Sequence, residues 1–508
     1  MLKIISYPYV TIDILHPLVH SLTKSEKRYC RLLAGRQAGD EPGAARGFMR
    51  LLDCLLYHET PGDALTANLT RQFPGATLDP ARKYLYRILM QSLRQFEDDK
   101  RIDVRLGQLL HDSQILYERG LAQFSGEQLA KAQRLAGQHE RGLYAAMIAR
   151  QQVEQWVRGQ FDGVDEPTLA RQHTLIQEAV DRTQTALQHA ALYETLLLRY
   201  RTHGTTDNPA DVLRLNDLLL EEYQLLNRHR HKPGVARSFA MQQQHLHFQS
   251  AYFRMVGDGA GSLRVYRELD ELFQRNPTLW AEQPLYYVQL LDGILADLRL
   301  VGHYEEIPYF IDRLRAIDTP AQGLRRMVPY LALYHSLLIA ADQEHCAEAV
   351  VRLTTDTVSV DTLALERGLS TLALPFRTEF DLLRVRIDMG TGKLTDALTR
   401  LNRVLNRPAR SLPNTLYRQS RLLNLLLHAR LGNADYLIYA LRSVERKLRA
   451  AGPLLAAEQL TLTLLKQWLG GRLRVGNLTD VEAVEDRPAN GQLVRDLDLR
   501  AWVRAMSG

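Results

Sequence analysis

Cysteine is nearly missing from this chain of 508 residues, which has only Cys30, Cys54 and Cys346. Three cysteines without metal-type spacing build neither a disulfide framework nor a zinc knuckle. A reducing, cytoplasmic compartment is therefore the default expectation. No run of about 18 uncharged apolar residues occurs, so no membrane-spanning helix is expected. Residues 1–8 lack the basic-then-apolar pattern of a signal peptide. Strand alternation is scarce: the β-branched run at residues 354–360 has no hairpin partner.

Catalytic signatures are missing too. There is no Gly-x-Ser-x-Gly elbow and no His-Glu-x-x-His. Gly257-Asp-Gly-Ala-Gly261 lacks the Lys-Ser/Thr ending of a phosphate loop and reads as a flexible turn between paired helices. His229/His231 and His245/His247 stand two residues apart. In a helix this spacing sends the side chains to different faces, so they read as surface histidines near a loop and not as metal ligands. Cys30 and Cys54 lie in apolar helical settings and read as core. The expectation is no catalytic residue, no metal and no cofactor: the chain does not read as an enzyme.

What is present is helical periodicity, in a chain 45% apolar and 24% charged. Length alone suggests about three domains. Phe376, Phe380, Leu383 and Ile387 form one stripe at spacings of four, three and four, opened by Pro375 and followed by Gly390 and Gly392. Counting from Gly392, Ala397, Leu401 and Val404 fall at +5, +9 and +12. The frame recurs from Gly302 (Ile307, Ile311, Leu314), Gly432 (Leu437, Leu441, Val444) and Gly120 (Ser125, Leu129, Ala132). With Asp342 standing in for glycine, it gives Ala347, Val351 and Thr354. Origins 302, 342, 392 and 432 lie 40, 50 and 40 residues apart. Such self-similarity predicts an all-α fold, a superhelical array of antiparallel helix pairs.

The run from Gly392 through Ala397 to Pro408 resembles the second helix of a tetratricopeptide repeat, and the resemblance extends over residues 105–470. It implies a solenoid of helical hairpins with a concave, partner-binding surface. The units are longer than the family's usual length of about 34 residues, and the first-helix Trp-Leu-Gly signature is absent. An unrelated α-solenoid of similar hairpins is the alternative. The expected division is an N-terminal helical domain at 1–104, repeats at 105–472, and an acidic linker with a capping helix at 473–508.

Charge is uneven. Residues 20–96 hold 12 Lys/Arg and 7 Asp/Glu, five of the six net positive charges. Thr23 and Glu26 have capping-box spacing. Helices follow around 48–57, 63–73 and 80–96, the last with Asp79 as its cap and Arg82, Lys83, Arg87 and Arg94 displayed. This outline resembles a helix-turn-helix or winged-helix module, which implies duplex DNA as a partner. The competing reading is a solvated face on a domain that caps the repeats or docks a protein. The stretch from Ser21 to Tyr29 is also similar to the start of certain uncharacterised bacterial helical-repeat proteins, a resemblance that supplies no activity.

Two polar stripes precede the repeat glycines at matching positions: Asp381, Arg384 and Asp388 before Gly392, and Arg421, Asn424 and His428 before Gly432. On stacked hairpins they would line a groove, although ordinary surface with local ion pairs fits the same pattern. The leading expectation is a non-enzymatic scaffold that binds a protein or peptide. A DNA-binding regulator with sensing repeats is the alternative.

Overall fold

Helical spacing and glycine stops account for much of the architecture among the described residues. In the computed structural model every regular element among the described residues is helical, and no strand occurs. Those residues are 10–37, 42–58, 62–97, 101–203, 213, 215–229, 238–281, 284–319, 322–343, 345–355, 368–370, 372–408, 411–450, 452–486 and 488–507. Contacts divide the chain into two compact units, 1–172 and 173–508.

The first unit contains α1 (Ile12–Ser21), α2 (Lys24–Gln37), α3 (Pro42–Tyr57), α4 (Asp63–Gln72), α5 (Leu78–Glu97), α6 (Ile102–Glu118), α7 (Ala122–Gln138) and α8 (Gly142–Arg158). The capping box forms as its spacing requires: Glu26 Oε2 accepts from the Thr23 amide at 2.6 Å, and Thr23 Oγ1 accepts from the Glu26 amide at 3.2 Å. Phe48, Leu51, Leu52 and Leu55 of α3 pack with Leu85, Ile88 and Leu89 of α5 in one core, which also takes Cys30 and Cys54. α5 starts at Leu78, so Asp79 lies inside its first turn and is not its cap. The +5 position of the α6/α7 hairpin is polar for a reason: Ser125 Oγ bonds Ser113 Oγ at 2.8 Å, and Gln155 reaches both hydroxyls.

The second unit begins within α9 (Glu166–His203). It continues with α10 (Asn216–His229), then the pairs α11 (Phe239–Met255) with α12 (Gly259–Arg275), α13 (Leu285–Val301) with α14 (Ile307–Arg315), and α15 (Gln322–Asp342) with α16 (Cys346–Thr355). Next come α17 (Leu374–Gly390) with α18 (Leu394–Leu405) and α19 (Asn414–Arg430) with α20 (Ala434–Ala450). The chain closes with α21 (Ala456–Leu469), α22 (Leu478–Glu485), α23 (Pro488–Asp496) and α24 (Leu499–Met506). Gly302, Gly392 and Gly432 turn each pair in the left-handed region, at φ +82°, +77° and +74°, where a side chain would clash.

The residues at +5, +9 and +12 from these three glycines are buried. The Asp342 frame is out of phase, and the side chain of its third residue, Thr354, lies outside the described residues. Ala347 and Val351 are exposed, while Cys346 and Ala349 are buried. The helix runs through Asp342, and its carboxylate serves the interior instead of the turn. Gly257-Asp-Gly-Ala-Gly261 is an ordered helix start: Asp258 Oδ1 caps the Gly261 amide at 2.8 Å, and Leu300 packs against Gly259 so closely that a Cβ there would meet its side chain.

First and second helices of each pair differ in burial. Residues 382–387 of α17 and 422–427 of α19 are buried without a break, whereas α18 buries only Ala397, Leu401 and Val404. First helices pack on one another in succession (α13 on α15, α15 on α17, α17 on α19), so they form the interior of the array. Polar side-chain links join equivalent points of neighbouring pairs. Arg254–Asp297, Asp270–Arg313, Asp292–His335 and Arg299–Asp342 all link residues 43 apart.

Asp342 gathers two guanidiniums: it accepts from Arg299 Nε at 2.6 Å and from Arg386 at 2.6 Å, and all three side chains are at most 7% exposed. Burial works against ionisation of Asp342, but the two guanidiniums overcome it and hold the carboxyl at about 2. Asp297 has one guanidinium, Arg254, and there burial prevails and the carboxyl is pushed up.

Asp342→Asn should therefore destabilise the protein by about 3–5 kcal/mol, because two guanidiniums stay buried without their counter-charge. The depressed folded pKa also sets a pH window. Stability from Asp342 is complete above its unfolded value of about 3.9 and is lost as pH falls toward about 2. Denaturant titrations of both proteins across that window should show a steeper acid loss in the wild type; parallel curves would contradict the assignment.

Candidate functional site

The basic residues expected on α5 are partly engaged within their own helix. Arg82 and Lys83 reach the Asp79 carboxylate at 2.6 and 2.8 Å, and together they lower its pKa. Arg87 lies over the Tyr84 ring at 4.8 Å, and Arg94 is exposed. A second basic face lies on α2. Lys24, Lys27, Arg28 and Arg31 of α2 line a concavity of about 390 Å³ with Leu32. Their spacing of three, one and three is a one-face helical pattern, so the signal was present in the sequence. Arg31 also pairs with Asp53 at 2.6 Å across exposed surface.

The two polar stripes differ in kind. Asp381 pairs with Arg407 at 2.9 Å and Asp388 with Arg400 at 3.2 Å, both links within one hairpin, and Arg384 is buried. Arg421 and Asn424 open instead onto a cavity of about 300 Å³ shared with Tyr436, Tyr439, Ser443 and Lys447 of α20. Asn424 donates to the Tyr436 hydroxyl at 3.0 Å, and Arg421 lies over Tyr417 at 5.1 Å. The His428 and Tyr436 rings meet tilted by 39° with centroids 4.1 Å apart, and burial lowers the His428 pKa. Tyr439, 79% exposed, stands free at the rim. The cavity thus combines two cations, an amide and two phenols on one hairpin.

Part of the interior surface of the first helices is taken by the chain itself. Residues 480–488, read from sequence as an acidic linker, include the end of α22, with Val481 buried. The single helix expected after it is two, because Asp498 turns the chain in the left-handed region at φ +52°. That turn aims Asp496 at Arg299, 2.8 Å away, and Asp498 at Arg386, 3.7 Å away. Arg495 donates to the Arg299 carbonyl, Asn490 accepts from the Ala457 amide at 2.8 Å, and Trp502 donates to the Leu426 carbonyl at 3.1 Å. Leu497, Leu499, Trp502 and Val503 join the core formed by α17 and α19.

The cysteines are buried thiols, and burial pushes Cys30 up to about 11, which suits packing and not nucleophilic chemistry. His247 is no surface residue: it is 1% exposed, stacks on Tyr193 at 5.2 Å, and burial drops its pKa to about 3. His231 and the side chain of His229 lie outside the described residues, as do Gly204–Pro209 and Lys232–Gly234. Metal-capable donors gather at His189, Glu222 and His245, and on the exposed turn His303, Glu305 and Glu306.

Trp502→Ala should cost about 3–5 kcal/mol, and the variant should bind a dye specific for exposed apolar surface. Dye fluorescence equal to that of the wild type, with an unchanged unfolding midpoint, would show that α24 contributes nothing to the core.

No protein-family model, no curated protein and no solved structure matches the chain.

Proposed function

We propose that the protein acts by binding: it is a non-enzymatic helical-repeat scaffold that takes a protein or peptide segment bearing carboxylates. The observation that carries this reading is the cavity on α19 and α20, where Arg421 and Lys447 supply positive charge and Tyr436 and Tyr439 supply flat, partly exposed rings. Arg offers a bidentate fork to a carboxylate, and tyrosine gives contact area at small entropic cost. Kinship with tetratricopeptide proteins belongs to the same proposal, supported by the recurring +5, +9, +12 frame.

A peptide array probed with the labelled full chain should favour Asp/Glu-bearing sequences. Combining Arg421→Glu with Lys447→Glu should weaken those spots at least about tenfold, or about 1.4 kcal/mol. Arg275→Glu, an exposed change in another helix pair, should leave them intact. Equal retention by the double variant would remove the cavity from the proposal.

A second reading, DNA binding, draws support from α2. Its four cations line one concavity, whereas Arg82 and Lys83 of α5 are tied to Asp79. If Lys24, Lys27, Arg28 and Arg31 all met phosphates, the full chain would bind duplex DNA with a log K against log salt slope of about −3.6. Lys27→Glu with Arg28→Glu should abolish that binding. Absence of salt-sensitive binding by the wild type would dispose of this reading.

A further inference from the structure

Neither proposed surface uses the donors buried between α9, α10 and α11. His189 on α9, Glu222 on α10 and His245 on α11 each bring one ligand atom to a common point, all within 4.8 Å of one another. His189 and Glu222 are 1% and 5% exposed, so the point is closed on the protein side. The His245 side chain retains 21% exposure and forms the solvent side. Its Nδ1 stands 2.7 Å from Glu222 Oε1, and its ring meets that of His189 at a centroid distance of 6.2 Å and an angle of 73°.

We propose that His189, Glu222 and His245 form a divalent transition-metal site, with zinc as its best occupant. Two imidazoles and a carboxylate are borderline donors of the kind zinc takes, and calcium or magnesium would require more oxygen ligands. Tetrahedral zinc with bonds of about 2.0–2.1 Å sets its donors roughly 3.4 Å apart. To reach that geometry the 2.7 Å His245–Glu222 pair opens slightly, with the His189 donor already within 4.8 Å of both. Water fills the fourth position from the His245 side. The ion supplies positive charge beside a carboxylate that is otherwise buried against imidazole.

Three helices remote in sequence are thereby fastened at one end of the unit, and binding free energy becomes folding free energy. The sequence hid this site because its donors come from three separate helices. His245 and His247 do face apart, as their spacing requires. His245 points to Glu222 and His247 to Tyr193. The site is independent of the peptide-binding reading, and either can fail alone.

The test is zinc titration of the chelator-stripped full chain against a competing fluorescent indicator. One tight equivalent is expected, with a rise in unfolding midpoint. His245→Gln and Glu222→Gln should lose that equivalent, and His303→Ala, in the exposed turn, should keep it. In the wild type, zinc should also protect His245 from diethyl pyrocarbonate, read by peptide mass, while His303 reacts; this arm does not depend on how the variants fold. No tight equivalent in the wild type, its retention by both site variants, its loss in His303→Ala alone, or unprotected His245 would each overturn the proposal.

Discussion

One carboxylate between two guanidiniums holds the second unit in register. Asp342 lies at the end of α15, Arg299 near the end of α13 and Arg386 within α17, so three consecutive helix pairs meet at a single buried anion. Two cations against one anion would leave positive charge in a dry interior. Asp496 and Asp498 arrive from the turn between α23 and α24 and offset it. An apolar interface tolerates sliding by a residue or a turn, whereas bidentate charge pairs of this kind accept one alignment. Breaking the network costs more than the network contributes relative to an apolar replacement, which is the usual balance for buried ion pairs. Its value therefore lies in specifying alignment more than in added stability.

From that node the same device runs along the array. Links between residues 43 apart recur at Arg254–Asp297, Asp270–Arg313 and Asp292–His335. The packing period is therefore carried by polar chemistry as well as by apolar stripes. Asp297 and Asp342 differ: beside the single guanidinium of Arg254 burial pushes the Asp297 carboxyl up, whereas Arg299 and Arg386 together hold Asp342 down.

Local features were legible in the sequence because each is settled within a few residues. The Thr23–Glu26 box, the turns at Gly302, Gly392 and Gly432, and the buried trios after them follow from spacing and backbone freedom. Asp342 was misread for the complementary reason. Its position before a second helix suggested a turn residue, and its partners stand 43 and 44 residues away. The candidate sites divide in the same way. The basic stripe of α2 was readable from spacing, whereas the cavity around Arg421 depends on how Tyr436 and Tyr439 of the following helix fold over it. The His189–Glu222–His245 cluster has no local signature at all.

The docking of Asp496 on Arg299 joins residues 197 apart, and it has a consequence for how the chain is made. A ribosome working from the N-terminus delivers Arg299, Asp342 and Arg386 long before their acidic counterparts and before Trp502. Until residues 488–506 emerge, the nascent array shows an incompletely neutralised cationic seam beside apolar surface. Without residues 489–508, Arg299 and Arg386 would share only Asp342 as counter-charge.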